Sequence, residues 1–97
     1  MNYTQLISSS PVVLVEFFAT WCPHCKKMMP IVEQIKELLE GSVEIYQLDI
    51  DQNDEAAEEV EVTSVPTFIL YKDGKEMWRQ SGEMEAQVLL SKIQSVL

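Results

Sequence analysis

The chain has 97 residues, the size of a single domain and too short to build a second hydrophobic core beside the first. Its hydrophobic share of 46% and charged share of 24% are ordinary globular values, which speak against disorder. With 16 acidic and 7 basic residues the formal net charge is -9, which opposes contact with nucleic-acid phosphates and anionic lipid.

Residues 2–7 are compatible with a short helix or with an edge strand. Residues 1–10 show neither the basic nor the apolar region of a signal peptide, and no apolar run approaches the roughly 20 residues of a membrane span. With Met1 as the natural start, a cytoplasmic protein is expected. Residues 12–18 are short, nearly all apolar and rich in β-branched and aromatic side chains, as in a central strand covered on both faces.

From residue 23 to 40, Met28, Ile31, Val32, Ile35, Leu38 and Leu39 recur at helical spacing, with Gly41 placed as a C′ stop. Pro30 inside this helix predicts a kink rather than a break. Residues 43–49 have strand composition, and residues 55–60 are Ala- and Glu-rich and predict a short helix. Residues 67–71 and 76–79 flank Asp73-Gly74, whose positive φ angles suit a tight hairpin. Ala86, Leu89, Leu90, Ile93, Val96 and Leu97 mark a terminal helix.

The order β-α-β-α-β-β-α implies an α/β domain over residues 1–97. Its mixed sheet has four strands, or five if residues 2–7 pair at an edge, and helices on both faces. Met28, Met29, Phe68 and Trp78 are read as core residues. The run from Asp49 to Asn53 imitates the opening of an EF-hand calcium loop. Asp54 at loop position six and Val60 at position twelve break the imitation, and a strand end followed by a helix cap accounts for it better.

Only two cysteines occur, too few for a secreted disulfide framework, and their Cys-x-x-Cys spacing suggests a reactive pair in a reducing compartment. Trp21-Cys22-Pro23-His24-Cys25 lies where a buried strand turns into a helix. Cys22 falls at the helix N-terminus, where unpaired N–H groups and the dipole favour a thiolate, so it is the expected nucleophile. Cys25, one turn on and more buried, is the expected resolving thiol. Pro23 in the first turn costs no needed donor and pre-sets φ. A tetrahedral zinc site wants four ligands, and two cysteines with His24 between them do not assemble one, so no metal is expected. Glu16 interrupts an otherwise apolar strand, and a buried carboxylate is rare without a task; an outward-facing carboxylate at a sheet edge is the alternative.

The segment from Val15 to Cys22, the Cys-x-x-Cys pair, Pro30 and Val65-Pro66-Thr67 together resemble the thioredoxin family over nearly the whole chain. The resemblance implies a thioredoxin fold and a thiol-disulfide oxidoreductase, a protein-disulfide reductase cycling between the dithiol and a Cys22–Cys25 disulfide without other cofactor. It implies disulfide-containing protein substrates, a thioredoxin-reductase-like electron donor and a monomer. By the same resemblance Pro66 is cis, Val65 and Pro66 bind the substrate chain as an added strand, and Gly82 lines the substrate groove. Trp21 is expected to pack beside the pair and shield it. Glu16 matches the family's buried aspartate, which relays a proton to or from the second cysteine, while Gln47 stands at the place of the family's lysine.

Between the cysteines this chain has Pro-His where typical thioredoxins have Gly-Pro, and Pro23-His24 is the pair found in the periplasmic oxidant DsbA. A partly charged imidazole at His24 stabilises the thiolate and raises the reduction potential. Two other readings are a DsbA-like oxidant or isomerase, and a non-catalytic peptide-binding module that keeps the fold.

Overall fold

The computed structural model describes all 97 residues. In chain order they form α1 (Tyr3–Ile7), β1 (Val12–Phe18), α2 (Pro23–Leu38), β2 (Glu44–Asp49), α3 (Asp54–Glu59), β3 (Thr67–Lys72), β4 (Lys75–Ser81) and α4 (Ala86–Gln94). The four strands make one mixed sheet in the order β2-β1-β3-β4. Strand β1 runs parallel to β2 and antiparallel to β3, and β3 forms an antiparallel hairpin with β4. The mostly apolar composition of β1 follows from this central place, since it is covered on both faces.

Alternation along the strands sorts the core into two layers. Val12 and Leu14 of β1 join Phe68 and Leu70 of β3, packed with Met28, Val32 and Ile35 of α2 and Leu89 and Ile93 of α4. Val13, Val15 and Phe17 join Ile69 and Tyr71 on the other face, packed against residues of α1 and α3. Period two therefore places Glu16 on the side of α2 and α4.

Residues 2–7, compatible with helix or strand from sequence, are helical because both ends of a capping box are present. The Gln5 N–H donates to Asn2 Oδ1 at 2.8 Å, and the Asn2 N–H donates to Gln5 Oε1 at 3.0 Å. Two orphan donors of the first turn are thereby satisfied. Tyr3 anchors the helix to the sheet: its ring centroid is 5.9 Å from that of Phe17, and its hydroxyl lies 2.7 Å from that of Tyr71.

Helix α2 runs through Pro30 without interruption and ends at Leu38, two residues short of the expected stop. Leu39 is its C-cap, so Gly41, at φ +86°, stands beyond the C′ position in the turn that leads to β2. At the hairpin both Asp73 and Gly74 have positive φ, 50° and 81°, as the turn requires. A Cβ on Gly74 would lie 3.0 Å from Ser8 Oγ, so glycine also keeps the N-terminal turn close to the hairpin. Met28 and Phe68 are core as expected and Trp78 is partly buried against it. Met29, by contrast, is 41% exposed, because it faces outward on α2 one residue past the buried stripe.

Candidate active site

Cys22 is the N-cap of α2 and Pro23 occupies the first helical position. The Cys22 sulfur accepts the Cys25 backbone N–H at 3.2 Å and so caps the helix in place of the usual oxygen. An N–H and the positive end of a 16-residue helix both face that sulfur. Cys25 follows one turn later in the same small cluster with Ala19, flanked by Phe18, Ile50 and Val65. Both are free thiols, and both are nearly covered, at 3% and 2% exposure. The expected difference in access between them is therefore small, and their environments differ in hydrogen bonding instead. Burial pushes the Cys25 thiol well above its usual range, and its hydrogen bond with Cys22 and the charges of Cys22 and Glu16 add to the rise.

The loop before β3 closes over the pair. The Val65–Pro66 peptide is cis. The Cys22 thiol donates to the Val65 carbonyl at 3.7 Å, so the backbone at Val65 borders the reactive sulfur directly. Pro66 in turn accepts the Gly82 N–H at 2.8 Å. Gly82 has φ +94°, a backbone conformation that side chains disfavour although a Cβ there would meet open space.

Trp21 is 63% exposed, and its Nε1 donates to Asp51 Oδ2 at 3.1 Å. There it forms one wall of a hollow of about 300 Å³ with Ile50, Val62, Thr63, Ser64 and Val65. Ile50 and Val65 also flank the cysteine cluster, so Trp21 borders a groove beside the cysteines.

Glu16 is 1% exposed and lies on a central strand, which excludes the outward-facing alternative. Its register partner on β2 is Gln47, whose Nε2 donates to Glu16 Oε1 at 2.9 Å. The other carboxylate oxygen, Oε2, is buried without a partner. Burial raises the pKa of Glu16 above the ordinary carboxyl value, and the Gln47 bond pulls the other way.

The family model of thioredoxin matches residues 1–95. The chain belongs to the thioredoxin family. It is 38% identical over 94 residues to the thioredoxin of Mycobacterium tuberculosis, covering 97% of this chain and 81% of that one. It is 34% identical to thioredoxin-like protein slr0233 of a Synechocystis species, over 96% of this chain and 90% of that one. The fold superimposes on oxidised mitochondrial thioredoxin 3 of Saccharomyces cerevisiae with a TM-score of 0.88 at 31% identity, covering 97% and 87% of the two chains. This thioredoxin-family protein is accordingly a thiol-disulfide oxidoreductase, and the non-catalytic module and the dedicated oxidant or isomerase are not favoured.

Against that family background His24 holds the main surprise. Its Nδ1 pairs with Glu83 Oε2, from the loop between β4 and α4, and no hydrogen bond joins it to Cys22. The imidazole is not aimed at the thiolate as a donor. Glu83 and Asp51, the partners of His24 and Trp21, are the site residues that sequence reasoning missed. Each meets its partner across 59 or 30 residues of chain, and no local pattern signals such a pairing.

Proposed function

We propose that Cys22 is the attacking thiolate and Cys25 the resolving thiol of a protein-disulfide reductase. The Cys22 thiolate attacks one sulfur of a substrate disulfide, forming a mixed disulfide and releasing the other substrate sulfur as a thiolate. Cys25, once deprotonated, attacks the Cys22 sulfur; the Cys22–Cys25 disulfide forms and the second substrate thiolate leaves. Two electrons have then passed from the protein to the substrate. A thioredoxin-reductase-like donor returns them, with the chain working as a monomer in a reducing compartment such as the cytoplasm.

The observation that carries this reading is the Cys22 sulfur as helix cap, touching both the Cys25 N–H and the Val65 carbonyl. Glu16 takes the proton that Cys25 must lose, which its burial on the α2 side of the sheet and the influence of its charge on Cys25 support. Trp21, Val65, Pro66 and Gly82 form the groove that receives the substrate backbone. Pro23 and His24 tune the couple to a potential between the roughly -270 mV of thioredoxin and the roughly -120 mV of DsbA. Dithiothreitol-driven reduction of insulin tests the reading: the wild type accelerates it and Cys22→Ser does not. Equal acceleration by Cys22→Ser would refute it.

A further inference from the structure

His24 sits in the first turn of α2, between the two cysteines, and Glu83 directly follows Gly82 in the loop that precedes α4. The pair is the imidazole's one ion pair and side-chain hydrogen bond: Nδ1 meets Glu83 Oε2, with side-chain exposures of 64% and 38%. Lys27, one turn along α2, also acts on Glu83, and the rim there is completed by Glu85. The Cys22 sulfur has its own partners, the Cys25 N–H and the Val65 carbonyl, and His24 is not among them. Any influence of the imidazole on the thiolate therefore acts through space, and a carboxylate in contact with it cancels much of that field.

We propose that Glu83 is a positioning residue that sets the reduction potential of the Cys22–Cys25 couple through His24. It holds the ring in an ion pair turned toward the α4 side. The potential is thereby kept below the value that an unpaired Pro-His dipeptide would give. Without Glu83 the ring is free to approach the Cys22 thiolate and act on it by hydrogen bonding or as an uncancelled charge, which stabilises the dithiol form and makes the protein more oxidising. Lys27 offsets part of the Glu83 charge, and exposure of both partners limits the effect. The inference rests on the redox role proposed for Cys22 and Cys25.

Equilibration with glutathione tests it. One oxidised glutathione and the protein dithiol exchange for the Cys22–Cys25 disulfide and two reduced glutathiones: the glutathione S–S bond breaks, the protein S–S bond forms, and the two thiol protons pass to the glutathione sulfurs. Glu83→Gln is expected to lower this equilibrium constant about twofold to fivefold, the range of an exposed ion pair, equivalent to a rise of about 9–21 mV in a two-electron couple where tenfold is 29.6 mV. In a His24→Gly background the same substitution is expected to change nothing. An unchanged constant in Glu83→Gln overturns the proposal, and so does an equal shift in both backgrounds, which would mean that Glu83 acts on Cys22 without His24. A wild type that forms no Cys22–Cys25 disulfide at any glutathione ratio overturns the redox assignment itself, and this inference with it.

Discussion

Gln47 holds one oxygen of the buried Glu16 carboxylate at 2.9 Å and leaves the other without a partner. Such an arrangement suits a group that gains and loses a proton, because an amide donor stabilises the anion only partly and the open oxygen can carry the hydrogen. Burial makes the folded protein hold the Glu16 proton more tightly than the unfolded chain, whose carboxyl titrates near 4.5. Stability from this group is therefore complete below that pH and declines as pH rises through the raised value. Glu16→Gln removes the decline. It should be more stable than the wild type at pH 8 by about 1–3 kcal/mol, the order of cost for a buried polar group left without a partner. The advantage should vanish below about pH 4, as urea unfolding at the two pH values would show; a constant difference would contradict this account. The same variant should slow the release of substrate from the mixed disulfide.

Cys25→Ser leaves the nucleophile in place and removes the group that displaces it. Incubated with a disulfide substrate, this variant should accumulate a covalent adduct at Cys22, visible as a mass increase that dithiothreitol reverses. Turnover should fall to background. If no adduct forms while Cys22→Ser does form one, the roles are reversed.

Asp51 fixes the direction of Trp21 through one hydrogen bond. Asp51→Ala frees the indole to move across the groove, and an exposed bond of this kind is worth about 0.5–1 kcal/mol. The KM for insulin should rise about twofold to fivefold with kcat little changed. Tryptophan fluorescence should change in parallel; a loss confined to kcat would argue against a docking role for Trp21.

Tyr3 ties α1 to the sheet, and its hydroxyl is the one side-chain partner of the buried Tyr71 hydroxyl. Tyr3→Phe keeps the ring contact with Phe17 and strands the Tyr71 oxygen. Thermal unfolding should show a loss of about 1–2 kcal/mol, and Tyr71→Phe added to it should recover part of that loss, since the stranded group is then gone.

Where the information was local, the sequence could be read directly. The nearly all-apolar run of β1 identified the central strand, and the Asp73-Gly74 turn identified the β3–β4 hairpin, because composition and φ preference act within a few residues. Cys22 at the start of α2 followed from the strand-to-helix change and from Pro23. Residues 2–7 were ambiguous, although Asn2 and Gln5 at capping-box spacing carried the signal that decides for a helix. The directions of Trp21 and His24 were not legible, since each is set by a carboxylate brought in by tertiary folding. Gln47 was noticed only as a replaced residue. Its bond to Glu16 depends on the β1–β2 register, which periodicity alone does not fix.

The central claim is that Cys22 reacts first and Cys25 displaces it. The most direct measurement is alkylation of the reduced protein near neutral pH with a limiting electrophile, followed by peptide mass analysis, together with mild oxidation of an unlabelled sample. Cys22 should be labelled much faster than Cys25, whose thiol is held protonated by burial, and the oxidised sample should contain an intramolecular Cys22–Cys25 bridge. Equal, slow labelling of both residues and no bridge would contradict the account.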